Sequence, residues 1–305
     1  MPSYRPFTFA LRAAAAIAAV AAVTLLGAGV SASVQTDRVI YVSAIGANGM
    51  PVTEPPLTAA EFNVTEDNVV REVVKVDKAT EPIYYAVLVD TSSGGTATDL
   101  VQHQRDALSG FVKVVLTAAP ESKILIMEFG GAAQVRQDFT SDLAVLEPLI
   151  PKLLPKPSEP VVGEALSEAS KLLSKVPSRR RVILIINREP TGEGGRLEPK
   201  LVAEDIRKGG AAVWSVQVRY GARQDANREA LLKGVTANSG GFRFLLQTPN
   251  PLGDYLKTVA ANTIVQYAVT IKRPTDAPPV NAKTMTGVKV SRPGVSALAM
   301  QWSDK

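Results

Sequence analysis

The residues with the clearest chemical potential are Asp90-Thr91-Ser92-Ser93-Gly94, which close the apolar run IYYAVLVD. A carboxylate followed at once by hydroxyls offers oxygen donors at short range, the ligand type a hard divalent cation requires. Standing where a buried strand ends, they would lie at the carboxyl edge of an open α/β sheet, where such sheets bind ligands.

Other candidates are poorer. His103 is the one histidine and stands among polar neighbours in VQHQRD, so it reads as a surface residue; general-base work needs a nucleophile within hydrogen-bond reach. Glu66-Asp67 and the i, i+4 pair Glu164 and Glu168 are acids that could do proton chemistry, yet the second pair reads as a solvated helix face. Gly192-Glu193-Gly194-Gly195 is glycine-rich but acidic and lacks a following Lys-Ser, so it reads as a flexible loop above the sheet. Nucleophile-elbow, zinc-protease and phosphate-loop motifs do not occur. The absence of cysteine excludes a disulfide framework, a thiolate zinc site and a cysteine nucleophile. No catalytic residue and no enzyme activity are expected.

A chain of 305 residues, 46% hydrophobic and 21% charged, can bury the core of one large domain with a smaller appendage. Two units of the net charge of +5 come from Arg5 and Arg12 near the N-terminus. The remaining basic residues are scattered, apart from Arg179, Arg180 and Arg181, which read as a solvated loop ahead of a strand. No nucleic-acid partner is expected from so dispersed a charge.

The elements that must position Asp90 alternate along the chain. Residues 83–90 read as a strand buried on both faces, as in the middle of a parallel sheet. A helix follows over 99–116 with one apolar stripe. Further strands are expected over 123–129, 134–139, 181–187, 211–218 and 240–244. Helices are expected over 141–150, 161–175, 200–208, 227–236 and 252–263. This order predicts an α/β fold with a doubly wound, mostly parallel sheet spanning 81–264. Residues 33–80 read as a strand-rich extension and 265–305 as a C-terminal β segment, and the two ends could pair into one layer beside the α/β domain.

Residues 1–32 have the order of a secretory signal: two arginines and no acid, then Ala13 to Val30 apolar or small, then Val30-Ser31-Ala32 as a cleavage site. The uncharged stretch runs on to Thr36, long enough for a retained membrane anchor. Either reading places the body outside the cytoplasm, periplasmic or extracellular, with membrane contact only through this segment if it is uncleaved.

The segment Asp90-Thr91-Ser92-Ser93-Gly94 resembles the Asp-x-Ser-x-Ser signature of von Willebrand factor type A domains. The likeness extends over roughly residues 38–302: IYVSAIGANGMPV, LTAAEFNVTEDN, ANSGGFRF and VKVSRPGVSALAMQW are similar to a bacterial exported group related to that family. The resemblance implies a Rossmann-like fold and a binding role through a cation that is also held by a later Thr and a later Asp.

That metal site does not carry over intact. Asp90 and Ser92 match, but the second signature Ser falls on Gly94, the Thr on or near Pro160, and the Asp after VILIIN on Arg188. The expectation is a vestigial site with no cofactor, magnesium being the alternative if Ser93, Thr96, Thr98 or Glu189 supplies replacement oxygens. Arg188 has two readings: it reaches Asp90 as a fixed ion pair in place of the cation, or it points to solvent while Asp90 caps the first helix. The function expected is a non-enzymatic protein-binding or adhesion module with an unidentified protein partner. The alternatives are a scaffold subunit of a cell-envelope complex, working through the β-rich ends, and a metal-dependent adhesion module.

Overall fold

Alternation of side chains along β5 (Tyr84–Val89) sets the architecture. Tyr85, Val87 and Val89 enter one apolar core and Ala86 and Leu88 another, all buried, so this strand must be covered on both faces. In the computed structural model, residues 36–92, 98–189, 194–219, 225–281 and 283–302 are described.

Ahead of β5 come β1 (Thr36–Ile45), β2 (Phe62–Glu66), β3 (Val69–Arg71) and β4 (Val73–Lys78). After it come α1 (Thr98–Ala118), β6 (Lys123–Glu128), β7 (Gln134–Thr140), α2 (Leu143–Leu146), α3 (Val162–Leu173), β8 (Arg181–Glu189) and α4 (Pro199–Gly209). Then follow β9 (Ala212–Arg219), α5 (Ala226–Ser239), β10 (Arg243–Leu246), α6 (Leu252–Ile264), β11 (Tyr267–Arg273), β12 (Thr286–Val290) and β13 (Ser296–Leu298).

The central sheet has the order β10-β9-β8-β5-β6-β7. Its strands are parallel except β7, which runs antiparallel to β6 at one edge. Helices α1 and α6 cover one face through Leu108, Phe111, Val115, Leu256 and Val259. Helices α3, α4 and α5 cover the other through Leu166, Leu173, Val202, Ile206 and Leu232. This is the mixed α/β fold with a mostly parallel sheet that the alternation predicts.

The leading and trailing strands interleave. β1 pairs with β11 and β13, and β4 with β11, in one four-stranded sheet; β2 pairs with β12 and β3 in a three-stranded one. A shared core of Val42, Leu57, Phe62, Val64, Val269 and Ile271 lies between them. Asp67 and Asn68 both adopt positive φ, 49° and 65°, the backbone of a two-residue hairpin turn whose twist matches its strands.

Three local expectations are corrected. The helix expected over 141–150 stops after Leu146, with a 3-10 turn at Ile150–Lys152, because Pro148 and Pro151 supply no amide hydrogen for a continuing ladder. Within the strand-rich extension expected over 33–80, the run VVREVVKV at 69–76 is not one strand: it breaks at Glu72 into β3 and β4, which belong to different sheets. Nor are the three consecutive arginines solvated throughout: Arg179 is exposed, but Arg180 and Arg181 are not free in solvent. Arg180 is 5% exposed and donates to the carbonyls of Ala79, Glu81, Thr263 and Ile264 and to Gln266 Oε1. Arg181 donates to the carbonyls of Val176, Ser178 and Gly209. Both guanidiniums thus bind carbonyls at helix C-termini, where a positive charge is favoured.

Candidate functional site

Asp90 stands one step beyond β5, at the carboxyl end of the sheet. Its N–H continues the parallel ladder to Ile186 O at 3.0 Å. The next rung would run from Arg188 N–H to the Asp90 carbonyl. The carboxylate takes that place instead, with Arg188 N–H donating to Asp90 Oδ2 at 3.2 Å, and the displaced carbonyl accepts from Gln104 Nε2 at 3.3 Å. The other oxygen, Oδ1, accepts from Ser92 N–H at 2.9 Å and Ser92 O–H at 2.5 Å. Asp90 is 2% exposed. Burial raises its carboxyl above the usual range, opposed by the Ser92 hydroxyl and by the Arg188 charge.

Neither reading of Arg188 holds as drawn. The residue is buried at 5% exposure, so it does not point to solvent. Among the described residues no ion pair joins it to Asp90; it meets that carboxylate through its backbone N–H. Its guanidinium goes to Ser92 Oγ, with Nη2 at 3.4 Å. The parallel register, with Val89 opposite Ile186, brings the Arg188 backbone to the Asp90 carboxylate, while its guanidinium reaches past it to Ser92.

A loop from 153 to 161 closes one side of the site. Lys156 N–H donates to Thr91 O at 2.7 Å and Val161 N–H to Phe129 O at 3.1 Å, and Pro160 bridges to Gly130. Gly130 is required here: a Cβ on it would lie 2.8 Å from Ser92 N and from Thr91 C and Oγ1, closer than side chains approach backbone. The Lys156 ammonium binds Glu128, which is 1% exposed and also accepts from Arg136 Nη1 at 3.1 Å. Thr91 Oγ1, Asn187 Nδ2 and Arg188 Nε are buried at this end of the sheet without a hydrogen-bond partner.

Several residues here escaped the sequence reading. Glu128 had a signal, an acid inside the apolar run KILIMEF; Gln104, in the polar stretch beside His103, had none. His103 is partly exposed on α1. Glu164 is not a merely solvated acid, since its Oε1 accepts from Arg196 N–H at 2.7 Å and Leu197 N–H at 3.2 Å. Ser93, Gly94, Thr96, Gly192 and Glu193, with the side chains of Thr98 and Glu189, lie outside the described residues. So do residues 1–35, on which the export reading rests. No described helix is long and apolar enough to cross a membrane.

The fold suggests a divalent cation, and the described residues do not fit one. Both oxygens of Asp90 already accept protein donors, Ser92 spends its proton on Asp90, and a guanidinium stands at the serine oxygen where like charge would repel a cation. Pro160 brings no hydroxyl. Among the described residues, no group of three or more His, Cys, Asp or Glu side chains is arranged to hold a metal.

Comparison with known proteins agrees with this architecture. The family model for the von Willebrand factor type A domain matches residues 85–188. A von Willebrand factor type A structure from Catenulispora acidiphila is similar over 88% of this chain and 75% of its own, with 8% identity and a TM-score of 0.52. Proximal thread matrix protein 1 from the mussel byssus is similar over 62% of this chain, with 14% identity and a TM-score of 0.51. The chain spans about half the length of that byssus protein, 50%. No curated protein matches the chain. At such identities the likenesses speak for the fold, and the family match speaks for the segment from β5 to β8 that carries Asp90, Ser92 and Arg188. The chain contains a von Willebrand factor type A domain, with residues 85–188 as its matched core.

Proposed function

We propose that the chain is a non-enzymatic, exported protein-binding module that engages its partner at the carboxyl end of the central sheet without a metal ion. The carrying observation is the exchange of roles around Asp90: protein donors satisfy its oxygens, and the Arg188 guanidinium stands where a cation would need Ser92. Leu154 in the loop that closes the site and Val135 on the edge strand β7, 59% and 43% exposed, offer the apolar side chains a protein partner would cover. Export rests on the signal-like order of residues 1–32.

A second reading has its own observation. Val69 and Val70 are 52% and 68% exposed on the edge hairpin of the three-stranded sheet, and an uncovered apolar edge strand invites pairing with another chain. In that case the chain is a scaffold subunit that binds through its β-rich ends.

Photo-crosslinking residues placed at Leu154 and at Val70, in cells with and without a divalent-metal chelator, separate these readings. Crosslinks from Leu154 that survive the chelator are expected. Crosslinks from Val70 alone favour the scaffold, and crosslinks from Leu154 abolished by the chelator overturn metal independence.

A further inference from the structure

A pocket of about 380 Å³ opens at the opposite end of the sheet from Asp90, between the start of β8 and strand β1. Arg38, Arg179, Arg180 and Arg181 line it, together with Tyr41, Val280 and Met300, and no Asp or Glu is among its lining residues.

The charge here is not neutralised. Arg180 and Arg181 contact only neutral acceptors. Arg179 shares Glu81 at 3.3 Å. Arg38 shares Glu66 at 2.5 Å, but that one carboxylate also receives Arg71 at 3.2 Å and Arg273 at 2.6 Å. Six guanidiniums are thus set against two carboxylates in these contacts. A guanidinium has five N–H donors. Arg180 spends all of them on protein acceptors and contributes only its field. Arg38 donates through Nη1 alone, and Arg181 uses one bond at each of its three nitrogens, so both retain donors.

We propose that this pocket binds a small organic phosphate. Its phosphate would lie among Arg38, Arg179 and Arg181, and its organic portion against Val280 and Met300. Several arginines from different elements lining one pocket suit a tetrahedral dianion, with oxygens on all sides, better than a single carboxylate. The pocket is independent of the partner-binding reading for the other end of the sheet.

The test uses the chain as recovered from cells, with glycerol 3-phosphate titrated calorimetrically and phosphatidylglycerol vesicles in a sedimentation assay. Arg179→Glu and Val280→Glu change side chains that are largely exposed, 56% and 45%, so both variants should fold, which thermal denaturation checks. Expected is saturable binding at about millimolar or tighter, weakened several-fold by raising salt and about tenfold or more in each variant. Saturation by glycerol 3-phosphate assigns a soluble ligand. Pelleting with vesicles but no calorimetric response assigns a lipid headgroup to the same pocket, provided both variants abolish it. No saturable response to either probe, or equal binding by wild type and both variants, overturns the proposal.

Discussion

Replacing Gly130 with alanine tests whether the Thr91–Ser92 backbone is as tightly held as the site requires. The added Cβ would lie 2.8 Å from three atoms of that segment, where ordinary contact begins at 3.4 Å, so the segment must retreat by about 0.6 Å. Forced overpacking of this kind costs roughly 1–3 kcal/mol. The movement also stretches the two bonds from Ser92 to Asp90 Oδ1, and losing the better part of one adds about 1 kcal/mol. The expected destabilisation is therefore about 2–4 kcal/mol. Gly110→Ala is the control: it lies within α1 and its Cβ would meet nothing within 4 Å, so it should stabilise by roughly 0.5–1 kcal/mol through helix propensity. Urea titrations of the three proteins, compared by midpoint at a common slope, give both differences. A loss below about 1 kcal/mol for Gly130→Ala, with the expected gain for Gly110→Ala, would refute the close packing on which the site geometry rests.

Other expectations concern the buried charges. Arg180→Met leaves five acceptors, in three buried and two partly buried hydrogen bonds, without their donor and should cost about 3–5 kcal/mol, whereas the exposed neighbour change Arg179→Ala should cost under about 0.5 kcal/mol; equal losses in chemical denaturation would contradict the assignment. Asp90 has its carboxyl raised by burial from 3.8, so the native state holds its proton to higher pH than the unfolded chain, and wild-type stability from this group falls as pH rises from about 4 through the raised value. Asp90→Asn removes that dependence, and its stability relative to wild type should rise with pH over that window; a relative fall would reverse the sign. Calorimetric titration of Mg²⁺, Mn²⁺ and Ca²⁺ should give no saturable heat with wild type and a measurable one with Arg188→Asp, which exchanges the guanidinium for oxygens; tight binding by wild type, lost in Asp90→Ala, would reinstate a metal.

The α/β order was legible in the sequence because strands buried on both faces are unbroken apolar runs and the intervening helices carry one apolar stripe. IYYAVLVD and VILIIN announce β5 and β8, and with them the two strand ends that bring Asp90 and Arg188 together. Local signals misled where two prolines ended a helix early and where β3 and β4, continuous in the sequence, joined different sheets. The arginine triplet misled for another reason. Whether a guanidinium is solvated depends on which carbonyls lie within its reach, and those that bind Arg180 come from residues 79–81 and 263–266.

The candidate site divides along the same line. Sequence alone determined which residues stand at the strand ends, Asp90 after one apolar run and Arg188 after another, since these are matters of residue type and local periodicity. Tertiary structure decided that the Asp90 carboxylate completes a rung of the ladder, that Arg188 meets it through its backbone, and that its guanidinium goes to Ser92. Register between strands distant in the chain sets those distances, and hydrogen bonding over a few tenths of an ångström is beyond what residue type can specify.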